Sequence, residues 1–564
     1  VHCLKYGLTT NNLLGVEMVL MTGEVVRLGG KHLDSEGYDL LGVMTGSEGL
    51  LGVVTEVTVR LLRKPATARA VLLGFPTEAA AADCVAAVIA SGIIPAGMEM
   101  MDKDAVKCAE AYVGAGYPLD AEGLLIVELD GPPVEVDYLV ERVAEIAKGR
   151  GATTVRVSND EQERVLFWAG RKAAFPAVGQ ITPDYMCLDG SVPRGRLVEV
   201  LAEMREMSKQ HRLRVVNVFH AGDGNLHPLI LFDANDPDEL RRAEEFGADI
   251  LRLCVRVGGV LTGEHGVGIE KRDLMGVQFT EIDLDQQMRL KCAFDPDHLL
   301  NPGKVFPQLR RCAELGRVVV HHNKLPFPDI PRFWRDLKPD RGPPGPLMLF
   351  RAGLEARGPM TTSTIKPRDA SELRQAVEWA LNDGTTLDVR GQGSKIDLGK
   401  PMNCGQVLDL SGLAGVVDYA PEELVVTLRA GTPMRDIEAL LAQRNQMLAF
   451  EPPDLGPLLG REAGQGTLVG AVMGNLAGPR RLSAGAARDH LLGFSGVNGR
   501  GETFKSGGKV MKNVTGYDLS KLLAGSWGTL AVLDQVSVKV LPAPDQTRTL
   551  LLLGLDDEAA VRAM

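Results

Sequence analysis

The apolar positions of this chain change their period several times, and each change marks an element. Between residues 69 and 157, strand-like runs at 70–75, 98–101, 124–129 and 153–157 alternate with helical stretches at 77–90 and 134–148. That β-α-β-β-α-β order predicts a split βαβ layer. Two further apolar runs, 215–219 and 228–232, flank the turn Gly222-Asp223-Gly224-Asn225. A helical pattern over 237–257 stops at Gly258-Gly259, a common helix end. Residues 321–360 have no period, and Gly342 to Pro346 are all turn formers. We read 311–359 as linker or tail, with Met360 as an internal start.

Comparing the chain with itself reveals a repeat. Gly37-Tyr38-Asp39-Leu40 precedes Gly46-Ser47-Glu48-Gly49-Leu50, and Gly516-Tyr517-Asp518-Leu519 precedes Gly525-Ser526-Trp527-Gly528-Thr529 at the same spacing. Upstream, Leu14-Gly15 and Thr22-Gly23-Glu24 match Leu492-Gly493 and Arg500-Gly501-Glu502. Alternating β-branched residues follow both copies, at 53–59 and 536–540, and predict strands. The second copy is longer, because an apparent strand at 386–390 leads into Gly391-Gln392-Gly393-Ser394-Lys395; the first has no such upstream half. The chain therefore reads as a fragment.

Composition narrows the possibilities. A 564-residue chain with 45% hydrophobic residues can fill several cores. Its net charge of -11 argues against binding nucleic acid. The eight cysteines form no C-x-x-C pair, so neither a disulfide framework nor an iron-sulfur cluster is indicated. No apolar run approaches the roughly 20 residues that span a bilayer. We expect a cytoplasmic protein with at most peripheral contact at the inner face of the cytoplasmic membrane.

The chemistry concentrates around His220-Ala221-Gly222-Asp223-Gly224-Asn225-Leu226-His227. If Asp223-Gly224 forms a two-residue hairpin turn, the ladder places His220 opposite His227. Side chains so paired can share one divalent ion of the zinc, manganese or iron type. Glu264, between flanking glycines in Gly263-Glu264-His265-Gly266, is the expected third ligand. Such a set leaves coordination positions open for a substrate hydroxyl and carboxylate. His265 would then take the hydroxyl proton, and Arg171 would clamp the carboxylate. A lone H-x₆-H more often marks hydrogen-bonded turn residues; the added Gly-Glu-His-Gly favours a metal.

Arg390-Gly391-Gln392-Gly393-Ser394 presents backbone N–H groups with few side chains in the way, as a pyrophosphate needs. Its glycine spacing is too short for a Walker or Rossmann loop. Gly470 and Gly474, in Gly470-Ala471-Val472-Met473-Gly474-Asn475, leave further room for close contact.

On these motifs the chain resembles the FAD-linked oxidases of the vanillyl-alcohol-oxidase superfamily. Residues 1 to about 333 resemble the D subunits of bacterial glycolate oxidases, on Lys5-Tyr6-Gly7, Gly46-Ser47-Glu48-Gly49, the His220–His227 run, Glu264-His265 and Asn301-Pro302-Gly303-Lys304. Residues 360–564 resemble the E subunits, on Glu451-Pro452-Pro453, Ala477-Gly478-Pro479-Arg480-Arg481 and Met511-Lys512-Asn513-Val514-Thr515-Gly516-Tyr517-Asp518-Leu519.

The resemblance implies an α+β chain built of PCMH-type FAD-binding segments and a ferredoxin-like cap. The expected domains are a C-terminal half of an FAD domain at 1–62, the cap at 63–310, a second FAD domain at 360–545 and a truncated region at 546–564. FAD contacts are expected from Lys5, Tyr6, Gly7, Gly46, Ser47, Glu48, Gly49 and Asn301, and in the second part from Arg390 to Ser394, Gly470, Gly474, Gly525 and Ser526. The implied reaction is oxidation of glycolate, or of D-lactate, by hydride transfer to FAD, with an iron-sulfur subunit as partner. Met186-Cys187-Leu188 stands where related enzymes of longer diacids carry a lysine, which disfavours such substrates. Two other readings stay open: an accessory or assembly piece without turnover, and a metallohydrolase, which the flavin-type glycines disfavour.

Overall fold

The protein is seen here as a computed structural model, which describes residues 2–34, 37–307, 364–400 and 404–563. The expected linker at 311–359 and Met360 lie outside the described residues.

The first copy of the repeat forms a three-stranded antiparallel sheet, β2-β1-β3, from β1 (Leu13–Val19), β2 (Val25–Gly29) and β3 (Val53–Val59). Its outer strand β3 keeps Val53, Val57 and Val59 about half exposed.

The chain then enters a seven-stranded sheet of β4 (Thr67–Phe75), β5 (Gly97–Asp102), β6 (Gly123–Gly131), β7 (Thr154–Val157), β8 (Asp184–Cys187), β9 (Arg214–Phe219) and β10 (Pro228–Phe232). The strand order is β7-β4-β6-β5-β9-β10-β8. Its first four strands have the expected β-α-β-β-α-β connectivity, with one addition. The helix Lys103–Val113 fills the β5–β6 connection, started by Asp102, whose carboxylate accepts from Ala105 N at 2.9 Å. Its buried positions are the small side chains Ala105, Val106, Cys108 and Ala109. The central strands β5 and β6 are buried on both faces, which explains their near-continuous apolar runs.

The helix Pro237–Arg256 behaves as expected. Ala243, Phe246, Gly247, Ile250, Leu251 and Cys254 recur at helical spacing and are buried. Each large apolar side chain so buried contributes roughly 1.5–3 kcal/mol. At its end Gly259 packs so tightly that a Cβ there would lie 1.9 Å from the Ser191 carbonyl oxygen.

The second copy supplies the parallel set β11 (Thr364–Ile365), β12 (Leu387–Arg390) and β13 (Gln406–Asp409), ordered β11-β13-β12. It also supplies β14 (Val416–Ala420), β15 (Val425–Arg429), β17 (Leu491–Asn498), β18 (Thr503–Gly507) and β19 (Ala531–Lys539), ordered β14-β15-β19-β17-β18. A short pair, β16 (Gln446–Met447) with β20 (Leu541–Pro542), completes it. The repeat is reproduced in the backbone: Glu48 and Trp527, equivalent positions, both adopt left-handed φ values, 53° and 54°. Their equivalent helices, Leu40–Met44 and Leu519–Leu523, pack on one another, with Asp39 paired to Arg488 at 3.3 Å.

Candidate functional site: a three-ligand centre between the cap and two flavin-type segments

His220 ends β9 and His227 precedes β10, but the register differs from the expected one. The ladder pairs Pro228 with Asn217 and His220 with Asn225, not with His227. The reason is local: Ala221–Asp223 make a 3-10 turn and Gly224 takes a left-handed φ of 71°, so the connection is longer than two residues. His227 becomes a diagonal neighbour of His220 on the same face, which still brings the rings together. Their centroids are 4.8 Å apart.

Glu264 completes the set. One ligand atom from each of His220, His227 and Glu264 lies within 4.8 Å of the others. Nε2 of His220 is 3.5 Å from Glu264 Oε1, and Nε2 of His227 is 3.5 Å from Oε2. Burial alone would push the Glu264 carboxyl up; the facing His220 and His227 rings and the Lys512 ammonium hold it well below the usual carboxylate range. Both ring nitrogens of His227 are buried without a hydrogen-bond partner. Buried polar atoms rarely stay so, and a divalent ion would satisfy one of them, so the donor set fits a metal.

Behind His220 stands Glu99, on β5, where the pairing of Met100 with Phe219 places it alongside. Its two oxygens lie 2.8 and 2.9 Å from His220 Nδ1. That bond turns Nε2 toward Glu264, the arrangement that orients a ligating histidine. Burial opposes the Glu99 charge, but Arg171 and then His220 keep its carboxyl down at about 2. Arg171 is correspondingly not presented as a substrate clamp: its Nε and a terminal nitrogen bond Glu99 at 3.0 and 2.8 Å, and the side chain is buried. In this structure it faces Glu99, the carboxylate that orients His220.

The loop that carries Glu264 and His265 is moulded around Asp189. Its buried carboxylate accepts from the backbone N–H groups of Gly263, Glu264 and His265 at 3.1, 2.7 and 2.8 Å, and pairs with Lys271. Burial raises the Asp189 pKa, yet Lys271 and these donors bring it below its ordinary value. Gly263 is required here, since a Cβ would lie 2.4 Å from both Asn225 Nδ2 and Ser191 Oγ. His265 is half exposed, stacks on His227 with centroids 5.4 Å apart, and has Nδ1 3.6 Å from Asp189 Oδ1.

A cavity of about 470 Å³ opens beside this centre, walled by Gly7, Gly46, Glu264, Lys512, Asn513 and Tyr517. Of the cofactor residues expected in the first segment, Gly7 and Gly46 line it. Lys5 and Tyr6 do not: they bond Asp130 at 2.6 and 2.5 Å. Glu48 accepts from Val267 and Gly268 N–H groups at 2.7 and 2.8 Å, and Asn301 Nδ2 donates to the Glu48 carbonyl at 2.6 Å. Ser47 is buried and Gly49 faces Asn301, so these residues join the segment to the cap.

The expected cofactor residues of the second part do converge. Gly391 comes so close to Thr467 that a Cβ would lie 2.8 Å from its Oγ1. Thr467 in turn accepts from Gly470 N at 3.0 Å. Gly525 and Trp527 N–H groups bond the carbonyls of Val472 and Met473, bringing Gly525 and Ser526 alongside Gly470 to Gly474. Ser394 is buried next to Lys395, which reaches Gly470. Such a bare-backbone cradle, walled by glycines, fits a dinucleotide. Arg390 instead pairs with Asp388.

Sequence comparison agrees. The family "FAD linked oxidases, C-terminal domain" matches residues 64–305, and the family "FAD binding domain" matches residues 362–507. The chain belongs to the FAD-linked oxidases, and it is an FAD-dependent hydroxy-acid oxidoreductase. Among its relatives, Escherichia coli (strain K12) glycolate oxidase subunit GlcD is 56% identical over 333 residues, 59% of this chain and 67% of that protein. Subunit GlcE of the same organism is 46% identical over 172 residues, 30% of this chain and 47% of that protein, so about half of GlcE is represented. Archaeoglobus fulgidus D-lactate dehydrogenase is 32% identical over 315 residues, 55% of this chain and 68% of that protein. Among the described residues, no helix is long and apolar enough to cross a membrane.

Proposed function

We propose that the chain oxidises glycolate to glyoxylate, with D-lactate as a second substrate, at a divalent-metal centre held by His220, His227 and Glu264. The observation that carries this reading is the buried His227 ring, without a hydrogen-bond partner, facing His220 and Glu264 within a domain of the FAD-linked oxidase C-terminal family.

The residues that would hold FAD are Gly391 to Ser394, Gly470, Gly474, Gly525 and Ser526, with Gly7 and Gly46 on the cavity wall. When bound, FAD supplies the two-electron acceptor, and zinc, manganese or iron supplies Lewis acidity toward the hydroxyl oxygen. His265 takes the hydroxyl proton, and its stacking on His227 keeps it beside the ligands. Glu99 fixes His220, Asp189 fixes the Glu264–His265 loop, and Arg171 holds Glu99. GlcD and GlcE are both named as subunits of glycolate oxidase; a separate iron-sulfur subunit would carry the electrons onward from this chain.

The test is an anaerobic one. Glycolate is expected to bleach the flavin band of the wild-type chain, while His265→Ala retains bound metal and loses bleaching by about 100-fold or more. Unchanged reduction kinetics in the variant would remove His265 as the base, and a flavin band that glycolate leaves untouched in the wild type would favour the accessory reading.

A further inference from the structure

A hydroxy acid arrives as an anion, and its carboxylate needs a cation at the site. Arg171, the expected clamp, is bonded to Glu99 behind His220, and Lys271 is buried against Asp189 behind the Glu264 loop. Among the described residues, three lysines of the second flavin-type segment line the cavity, Lys512, Lys521 and Lys539, and Lys512 is the one bonded to Glu264.

The Lys512 side chain is only 2% exposed. Its Nζ lies 3.2 Å from Asp223 Oδ2 and is hydrogen-bonded to Glu264 Oε1. It therefore already grips a carboxylate oxygen at the metal set, while an ammonium has three donors. An ion taking Glu264 would relieve the charge that now holds Lys512 there.

The position is built by docking of the second segment on the cap. Val514 N bonds the Thr262 carbonyl at 3.1 Å, and Gln287 accepts from Tyr517 N at 3.1 Å. Glu502 pairs with Arg289 at 2.7 Å. These contacts fix the loop on both sides of Lys512. The repeat excludes an equivalent from the first segment: four residues before Gly516 stands Lys512, and four before Gly37 stands Leu33.

We propose that Lys512 contacts the substrate carboxylate, so that the hydroxy-acid site is a composite in which the cap supplies metal ligands and base and the second flavin-type segment supplies the anion-binding cation. This rests on the proposed function and adds a specificity residue to it.

The experiment uses the FAD- and metal-loaded full chain and two readouts. Oxalate, a non-oxidisable carboxylate, is titrated calorimetrically, and anaerobic flavin reduction by glycolate is compared with reduction by the neutral glycolamide. In Lys512→Met, oxalate affinity and the preference for glycolate over glycolamide should each fall about 10- to 100-fold, the scale of one charge-assisted hydrogen bond. Lys512→Arg should restore most of both. Equal oxalate binding in wild type and Lys512→Met would overturn the role of Lys512 alone, as would losses of equal size for glycolate and glycolamide, the mark of a merely structural change. A wild-type chain that neither binds oxalate nor is reduced by glycolate would overturn the proposed function itself.

Discussion

Glu99 and Asp189 decide how the reactive side chains stand. Each is a buried carboxylate with several donors, the condition under which a buried charge is tolerated. Glu99→Gln keeps the shape but can accept through one oxygen only, so either His220 or Arg171 loses its partner. The expected result is a fall of about 10- to 100-fold in divalent-metal affinity, measured by metal titration of the chelated chain. An unchanged affinity would show that His220 needs no orienting partner. The sequence displayed the proposed ligands and base, because His220, His227, Glu264 and His265 sit in two short Gly-rich motifs. It did not display their supports. His220 and Glu99 are 121 residues apart, Glu264 and Asp189 are 75 apart, and Glu264 and Lys512 are 248 apart. Only one local sign pointed to Glu99: an acid among the methionines of Gly97-Met98-Glu99-Met100-Met101, in the interior of a buried central strand.

At the scale of elements, the β-α-β-β-α-β layer and the helix at 237–256 were legible because their apolar positions keep a steady period. The β9–β10 connection was misread by two positions, since Asp223-Gly224 favours a tight hairpin turn and the chain makes a 3-10 turn there instead. The two rings still meet because diagonal neighbours share a face as directly opposed residues do. Packing makes its own prediction. Gly259→Ala would drive a methyl group against the Ser191 carbonyl, costing about 1–3 kcal/mol and lowering the thermal midpoint. An unaltered midpoint would mean that the turn after Pro237–Arg256 yields easily. The exposed edge of β3 predicts a different effect. Strand β19, its counterpart, is covered by β15, whereas β3 offers Val53, Val57 and Val59 to solvent. Val57→Lys should reduce self-association of this chain in light scattering, as charged edge residues do.

For the whole molecule, the repeat was readable from identical spacing, but the way its two copies meet the cap was not. Both segments bear on the cap, the first through Glu48, which meets Val267 and Asn301, and the second through the 502–517 stretch, which meets Asp283 and Gln287. Glu502 is a measure of that docking. Hydrogen bonding to Arg289 outweighs burial and, with Asn498 and Gln286, lowers its carboxyl to about 2. A depressed folded pKa contributes stability that is present above the unfolded value of about 4.3 and is lost as pH falls toward about 2. Stability of the wild-type chain should therefore drop over that window more steeply than that of Glu502→Gln. Equal slopes in acid unfolding curves would place the docking energy elsewhere.

Hydroxy-acid oxidation is proposed to run through the centre formed by His220, His227 and Glu264. Its most direct test is anaerobic mixing of glycolate with the FAD-loaded chain before chelation, after chelation and after return of a divalent ion. The chelated chain should keep its flavin band without being bleached, and the returned ion should restore bleaching. Equal bleaching with and without metal would contradict the proposal.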